Sequence, residues 1–252
     1  MDNPVARHAG IEFSVVIPFF NEEKNIEKVV QEVSEAFSGQ GFRYELVLVD
    51  NGSSDETLDI LRRMHGSYEY IKIVRVATNI GFGWGILQGF SVAEGRYLGF
   101  MGGDGQSRAS DLLRIFHKVR DGRLDMVKAL RVQRWDGWQR RCISGIYNSF
   151  FSWVFGFRVQ DVNGSPKVMT RECFKKMNLV SRDWFLDAEI VLKAVRNGMR
   201  IGDVPVVFGK RDGNRSKVTA GTCVEFVRNI LRYRFGDIPR HPGMKSGKGR
   251  LR

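Results

Sequence analysis

The feature that most constrains this chain is a regular alternation of strand and helix signals through its first half. Short apolar runs predict strands at Phe13–Pro18, at Tyr44–Val49, at Tyr70–Val76, directly before Phe100, and at Asp125–Ala129. Segments with helical spacing separate them, as at Ile26, Val29, Val30, Val33 and Phe37, where Asn21 is the expected cap. This alternation predicts an α/β fold with a mostly parallel sheet flanked by helices.

Length and composition fit one α/β domain. The chain has 252 residues, and we expect a domain over 12–236, a flexible segment over 1–11 and a basic, disordered tail over 237–252. The first residues lack the apolar core of a signal peptide, and no window reaches the ~20 apolar residues of a transmembrane helix. Three separated cysteines and four scattered histidines argue against a disulfide framework or a zinc site.

The charge of the chain is strongly positive. Forty Lys and Arg against 28 Asp and Glu give a net charge of +12, which favours an anionic partner such as a nucleotide, an acidic membrane or a nucleic acid. Much of this charge lies in the tail, and the chain carries no recognised nucleic-acid module. We therefore predict that nucleic acid is not the partner.

Polar residues follow several of the predicted strands at their ends. They are Asn21, Glu22, Asp50, Asn51, Asp104 and Gln106. In parallel sheets, ligands bind at the carboxyl ends of the strands. Loops from three different strands thus predict one shared site.

Three motifs and their order carry a family resemblance. They are VVIPFFNEEKNI at 15–26, LVLVDNGSSDET at 46–57 and FMGGDGQ at 100–106, followed by DVNGS at 161–165, LDAEI at 186–190 and KRDGNRSK at 210–217. Together they resemble family 2 glycosyltransferases of the GT-A fold. Within that family the pattern is similar to the dolichol- and polyprenyl-phosphate sugar transferases, with the mannose synthases as the nearest match.

The resemblance implies where a nucleotide-sugar donor would bind. Base and ribose contacts fall at Pro18, Phe20 and Glu22 and at Val49 and Asn51, where Asn51 replaces an acid that is usual in the family. Gly103 and Asp104 fall beside the donor. The donor diphosphate is implied to contact Arg211 and Lys217.

FMGGDGQ occupies the place of the family's metal motif, which commonly holds two Asp residues separated by one residue. Gly102 stands where the first Asp is expected, so the implied metal ligands are Asp104 and Gln106. Mg²⁺ is often held by one or two carboxylates together with phosphate oxygens and water. One carboxylate, one amide and the diphosphate are therefore sufficient for Mg²⁺ or Mn²⁺, and we expect weaker metal affinity with chemistry retained.

The same resemblance implies an acceptor site in the middle of the chain. Arg131, Arg140 and Ser144 would hold the phosphate of a lipid phosphate acceptor, and Arg suits phosphate because its planar fork binds two oxygens. A phosphate monoester is already anionic and needs no strong base. The implied catalytic residues are Asp104, Arg131 and Glu189, while Asp161 and Asp187 stay open as a base or as contacts to sugar hydroxyls.

Two apolar segments have a basic border. One contains Ile146, Phe150, Phe151, Val154, Phe155 and Phe157, and the other places Val224, Phe226, Val227, Ile230, Leu231 and Phe235 among three arginines. Such helices either pack in a core or lie in a bilayer interface, and both interpretations stay open.

The sequence therefore predicts an inverting, metal-assisted transferase at a membrane surface. It would move a hexose, best matched by mannose from GDP-mannose, to a polyprenyl phosphate on the cytoplasmic face, with or without a separate membrane subunit. A rival enzyme would glycosylate a saccharide or another hydroxyl acceptor and would need a general base. A third hypothesis is a nucleotide-sugar-binding module without catalysis, because Gly102 and Asn51 replace acids.

Overall fold

A computed structural model describes residues 10–134, 138–209 and 220–235, with side chains described over 10–133, 143–209 and 225–235. The strands are β1 (Phe13–Phe19), β2 (Tyr44–Asp50), β3 (Ile71–Arg75), β4 (Tyr97–Phe100), β5 (Met126–Arg134), β6 (Lys167–Thr170) and β7 (Ile201–Phe208). The helices are α1 (Ile26–Phe37), α2 (Thr57–Ser67), α3 (Phe82–Val92), α4 (Ala109–Asp121), α5 (Trp138–Phe155), α6 (Arg171–Met177), α7 (Leu186–Arg196) and α8 (Ala220–Phe235). The predicted limits of the domain stay a prediction.

The strands form one seven-stranded sheet in the order β3-β2-β1-β4-β6-β5-β7. All paired neighbours are parallel except the two pairs that involve β6. The prediction of an α/β fold with a mostly parallel sheet is confirmed. Because β6 runs in the opposite direction, its first residue lies at the edge where the other six strands end.

Helices cover both faces of the sheet. On one face, α1, α2 and α4 bury the aromatic stack of Phe13 and Phe116, whose ring centroids lie 4.3 Å apart. On the other face, α3, α6 and α7 pack on β1, β2 and β4. A third cluster joins α5, α7 and α8 around Phe151 and Phe185. None of the helices over the described residues is long and apolar enough to cross a membrane.

Candidate active site

The carboxyl edge of the sheet carries the loops that the sequence singled out. Phe19 pairs in register with Asp50, and Val16 pairs with Phe100, so the loops after β1, β2 and β4 leave the sheet side by side. The last described residues of β5 and β7 and the first residue of β6 lie at the same edge. The topology therefore gathers the predicted polar residues at one place.

The loops after β1 and β2 are locked together through Asn21. Its backbone N–H donates to Ser53 Oγ at 3.0 Å, and its Oδ1 accepts from the Ser54 N–H at 2.8 Å. Asn21 has a φ of 52°, in the left-handed region that Asn tolerates better than most residues. The prediction that Asn21 caps α1 is wrong, because this helix begins at Ile26 and the side chain serves the contact between loops.

Of the residues predicted to bind base and ribose, Glu22 is held firmly and Phe20 is partly exposed. Glu22 is buried, its Oε2 accepts from Asn25 Nδ2 at 2.6 Å, and its backbone N–H donates to Thr57 Oγ1 at 3.1 Å. Pro18 is buried within β1, which continues to Phe19 rather than ending at the proline. This loop is thus a rigid rim that presents Phe20.

At the end of β2, Asn51 is tied to the loop before α3. Its Nδ2 donates to the Gly81 carbonyl at 3.1 Å and lies 3.4 Å from Asn79 Oδ1. A carboxylate cannot donate, so the amide fits this position where an acid would face a carbonyl oxygen. Asn79 was not predicted as a site residue, although it is the first residue of the glycine-rich stretch at 79–85. The Val49 side chain lies wholly in the core, so only the backbone of Val49 could contact the nucleotide-sugar donor.

The loop after β4 approaches β1 very closely. A Cβ on Gly103 would lie 2.5 Å from the Phe19 ring and 2.9 Å from the Pro18 carbonyl oxygen, so only glycine fits there. Asp104 is partly exposed, and its Oδ1 accepts from the Gln106 N–H at 3.2 Å. Glycine at 103 therefore lets the loop that carries Asp104 pass directly against the end of β1.

Gln106 links this loop to the end of β7. It is buried, its Nε2 donates to the Gly209 carbonyl at 3.0 Å, and its own carbonyl accepts from the Gly209 N–H at 2.9 Å. The amide nitrogen is thus used, and only Oε1 has the chemistry of a metal ligand. Arg211 and Lys217 follow Gly209 in the chain, but both lie outside the described residues.

The oxygen atoms at this loop fit a divalent cation that takes its remaining ligands from a substrate and water. Within the described residues no group of three or more His, Cys, Asp or Glu side chains is arranged to hold a metal. Asp104 supplies one hard oxygen ligand at a partly open position, and Mg²⁺ or Mn²⁺ accepts phosphate and water oxygens for the rest. A Cβ on Gly102 would lie 3.4 Å from Asp104 Oδ1 and 3.8 Å from Asp104 Cγ, so a side chain can begin at this position beside Asp104.

Arg131, predicted for the acceptor phosphate, is held by Asp161. The guanidinium donates through Nε at 2.8 Å and Nη2 at 2.5 Å, and the Arg131 backbone N–H donates to the same carboxylate at 2.9 Å. Burial alone would raise the pKa of Asp161, but the hydrogen bonds and charge of Arg131 outweigh it and lower that pKa. Ser144 lies partly exposed on α5, and the side chain of Arg140 lies outside the described residues.

A buried ion pair lies next to this site. Lys167, which pairs in register with Phe100 and Lys128, donates to Asp187 at the start of α7. Burial, which penalises charge, lowers the pKa of Lys167 and raises that of Asp187, although each partner's charge opposes the change. The pair joins β6 to α7. Lys167 was not predicted as a residue of the site, because lysine is almost never fully buried unless it is paired.

Glu189 is fully buried and acts as an anchor for the preceding turn. Its oxygens accept from the Val180 N–H at 3.0 Å and the Ser181 N–H at 2.7 Å, and Lys193 Nζ lies 2.6 Å away. The motif placed Glu189 among the catalytic candidates, whereas in the structure its carboxylate is used to hold backbone groups. The Glu189 carboxylate could contact a substrate only if these hydrogen bonds were broken.

A mostly parallel sheet with polar loops at its carboxyl edge is typical of α/β folds that bind nucleotides, and the GT-A fold of nucleotide-sugar transferases is one of them. A family model for glycosyl transferase family 2 matches residues 14–179, which is more than half of the chain. The chain belongs to glycosyl transferase family 2.

Curated relatives and solved structures agree with this assignment. The chain is 28% identical over 229 residues to a dodecaprenyl-phosphate galacturonate synthase of Rhizobium johnstonii, covering 90% of this chain and 67% of that protein. It is 27% identical over 229 residues to the dolichyl-phosphate beta-glucosyltransferase of Saccharomyces cerevisiae, covering 80% and 68%. The fold is similar to glucosyl-3-phosphoglycerate synthase from Mycobacterium tuberculosis with Mn²⁺, uridine diphosphate and phosphoglyceric acid, at a TM-score of 0.70 and 20% identity over 92% of this chain and 81% of that one.

Proposed function

We propose that this protein moves a hexose from a nucleotide-diphosphate sugar to a polyprenyl phosphate, with inversion at the anomeric carbon. Two relatives that the chain covers over two thirds of their length are named for glucose and for galacturonate on polyprenyl phosphates. These names favour glucose or galacturonate as the transferred sugar over the mannose that the motif pattern suggested. The donor is a uridine nucleotide on this proposal, since the solved relative holds uridine diphosphate.

The choice of a phosphate acceptor rests on three acidic side chains that could have served as a catalytic base. Asp161 is paired with Arg131, Asp187 with Lys167, and Glu189 with two backbone N–H groups and Lys193. All three are buried. A hydroxyl acceptor needs a base to take its proton, whereas a phosphate monoester attacks as an anion. Paired acids therefore favour a phosphate acceptor over the saccharide or other hydroxyl acceptor.

On the donor side, the partly exposed Asp104 and the Oε1 of Gln106 would hold a divalent cation. When bound, that cation neutralises the charge that develops on the leaving nucleoside diphosphate. Solved relatives with Mn²⁺ or Mg²⁺ support this assignment. Phe20 and Asn51 would hold the nucleoside, and Arg211 and Lys217 the diphosphate.

On the acceptor side, Arg131 would meet the phosphate together with Arg140 and Ser144. Asp161 fixes the orientation of the Arg131 guanidinium with two hydrogen bonds, which leaves the arginine preorganised. The acceptor oxygen then forms the new bond to the anomeric carbon as the bond to the nucleoside diphosphate breaks. A single displacement of this kind inverts the configuration. The protein supplies position and charge rather than a proton acceptor.

A second acceptor class follows from the structural relative. Its structure contains phosphoglyceric acid, a small soluble anion, so a soluble phosphorylated acid is the alternative acceptor. Exposed apolar side chains on α5 and α8, such as Trp153 and Phe235, favour the lipid and a place at a membrane surface. The cytoplasmic face is proposed on the family resemblance alone. A separate membrane subunit stays open as a partner on this proposal, and nucleic acid is not part of it.

The test is a panel of donors and acceptors. UDP-glucose, UDP-galacturonate and GDP-mannose are each incubated with a polyprenyl phosphate or with phosphoglyceric acid, with Mn²⁺, with Mg²⁺ and with a chelator. We expect a metal-dependent glycosyl phosphoryl lipid from one of the uridine nucleotides, and loss of product in Asp104→Asn. Binding of uridine diphosphate without turnover on any acceptor would instead support the non-catalytic module.

A further inference from the structure

Two helices that pack against each other each expose a second apolar stripe to solvent. On α5, Tyr147 and Phe151 face inward, while Ile143, Ile146 and Trp153 are exposed, Ile146 by 72% and Trp153 by 80%. The exposed residues are spaced three and seven apart and therefore share one side of the helix. Single exposed apolar residues are common, but a stripe that includes a tryptophan marks an interaction surface.

Helix α8 repeats this arrangement. Phe226, Ile230 and Tyr233 pack inward, with the Phe226 ring 5.0 Å from that of Tyr147 on α5. The opposite side exposes Val227, Leu231 and Phe235, which are spaced four residues apart, and Phe235 is exposed by 77%. Over its described side chains, the helix is therefore apolar on two sides, of which one packs on the protein and the other is exposed.

Arginines border the exposed stripe of α8. At 100° per residue, Arg228 and Arg232 lie on one side of Val227, Leu231 and Phe235, and Arg234 lies on the other, all of them exposed. Glu225 is the acid among the side chains described on this helix. Arginine stems cover apolar surface while their charged ends reach the lipid headgroups. Apolar side chains between arginines match a bilayer interface with anionic lipids.

Both helices are also tied to the loops of the active-site edge. On α5, Asn148 Oδ1 accepts from the Val162 N–H at 3.1 Å, next to the Asp161 that holds Arg131. On α8, Asn229 Nδ2 donates to Asp183 Oδ2 at 2.7 Å. An acceptor phosphate that enters from these helices would thus arrive at the side of the site where Arg131 lies.

We propose that the exposed stripes of α5 and α8 dock this protein on an anionic bilayer and thereby bring the site to its lipid acceptor. The identity of the acceptor rests on the proposed function, whereas the docking surface rests on exposure and charge. A second copy of the chain is a poorer occupant, because a twofold contact through α8 would bring its arginines against one another. A bilayer with anionic headgroups satisfies both the stripes and the arginines.

Vesicle binding of the full chain tests the surface without donor or acceptor. Vesicles of phosphatidylcholine with and without phosphatidylglycerol are sedimented with wild type, Trp153→Glu, Leu231→Glu and the control Val92→Glu. Val92 is exposed by 41%, close to the 43% of Leu231, and lies at the end of α3 away from both stripes. Melting curves of all variants show whether each is folded.

We expect wild type to bind vesicles that contain phosphatidylglycerol and to lose that binding at high salt. Trp153→Glu and Leu231→Glu should each weaken partitioning about tenfold or more, since each removes apolar contact and adds a repelled charge. Val92→Glu should bind like wild type. Replacing Arg228 and Arg232 by alanine should cost about fivefold per charge on anionic vesicles.

Three results would overturn the docking surface. They are no binding of wild type to either vesicle, an equal loss in Val92→Glu, or a stripe variant that binds normally but converts a dimer to a monomer in light scattering. Activity separates the two proposals. With acceptor dispersed in detergent, Trp153→Glu should turn over like wild type, and with acceptor in vesicles it should be slower. A lack of glycolipid in both formats, with vesicle binding intact, would refute the proposed function alone.

Discussion

At the scale of single residues, an amide at Asn51 and a glycine at Gly102 stand where the family resemblance implies acids. Asn51 shows why the replacement is not a simple loss. Its Nδ2 donates to the Gly81 carbonyl, a bond that a carboxylate cannot make. Gly102 differs from Asn51, because space beside Asp104 is left open there.

Gly102→Asp tests how much metal affinity the protein loses by having glycine at position 102. A second carboxylate near Asp104 adds a hard oxygen ligand, and we expect the Mn²⁺ concentration for half-maximal activity to fall about tenfold. Metal titration of the transfer reaction measures this. Gly66→Asp on α2, where a Cβ meets open space, controls for added charge. An unchanged metal requirement in Gly102→Asp would mean that a ligand at this position does not matter.

Asp161 gives a prediction with a defined pH range. Its pKa is lowered in the folded protein, so it stabilises the fold above its unfolded pKa of ~3.9, and this contribution is lost as the pH falls through the folded value. Asp161→Asn should therefore lower the free energy of unfolding by about 3 kcal/mol at neutral pH, because the Arg131 side chain, which is only 11% exposed, loses its partner. The difference from wild type should shrink below about pH 4.

Urea unfolding at a series of pH values measures this difference. The control is Asp59→Asn, which removes an exposed pair with Arg62 at 3.0 Å and should change stability by less than about 1 kcal/mol. A difference between Asp161→Asn and wild type that is the same in acid as at neutral pH would contradict the role of this carboxylate.

At the scale of the elements, α7 shows a difference between the catalytic role that a motif implied and the role that the structure shows. The sequence placed Glu189 in a family motif, and the structure shows that this motif forms the start of α7. The burial of Glu189 could not be foreseen, because it depends on the segment with Val180 and Ser181 folding back over the carboxylate. The order and type of the first strands, by contrast, follow from local apolar patterns. The reversed direction of β6 does not, since four residues carry no signal of direction.

Glu189→Gln separates an anchor from a base. The side-chain amide can accept through only one oxygen, so we expect a loss of about 1–3 kcal/mol in stability. The kcat per folded molecule with polyprenyl phosphate should stay within about threefold of wild type, well short of the loss expected for a missing base. Glu35→Gln, which alters an exposed contact with Gln31, is the matched control. Inactivation with normal stability and normal acceptor binding would favour a hydroxyl acceptor.

At the scale of the whole molecule, the fold gathers loops that are far apart in sequence. The motifs predicted the shared edge, because carboxyl ends of parallel strands meet there. The ion pairs of Lys167 and Arg131 were not predictable, as they join residues 20 and 30 positions apart through the sheet. These pairs use the acids of the site for internal contacts. They fit the proposed enzyme, which positions two anions and removes no proton.

The most direct test of that central claim compares two acceptors that differ only in the phosphate. Polyprenyl phosphate and the matching polyprenol are offered with the same uridine nucleotide sugar and Mn²⁺, and the initial rates of glycolipid formation are measured. We predict transfer to the phosphate, and transfer to the alcohol that is slower by at least about a thousandfold, because the alcohol needs a base. Comparable rates on the two acceptors, or transfer to the alcohol alone, would contradict the account.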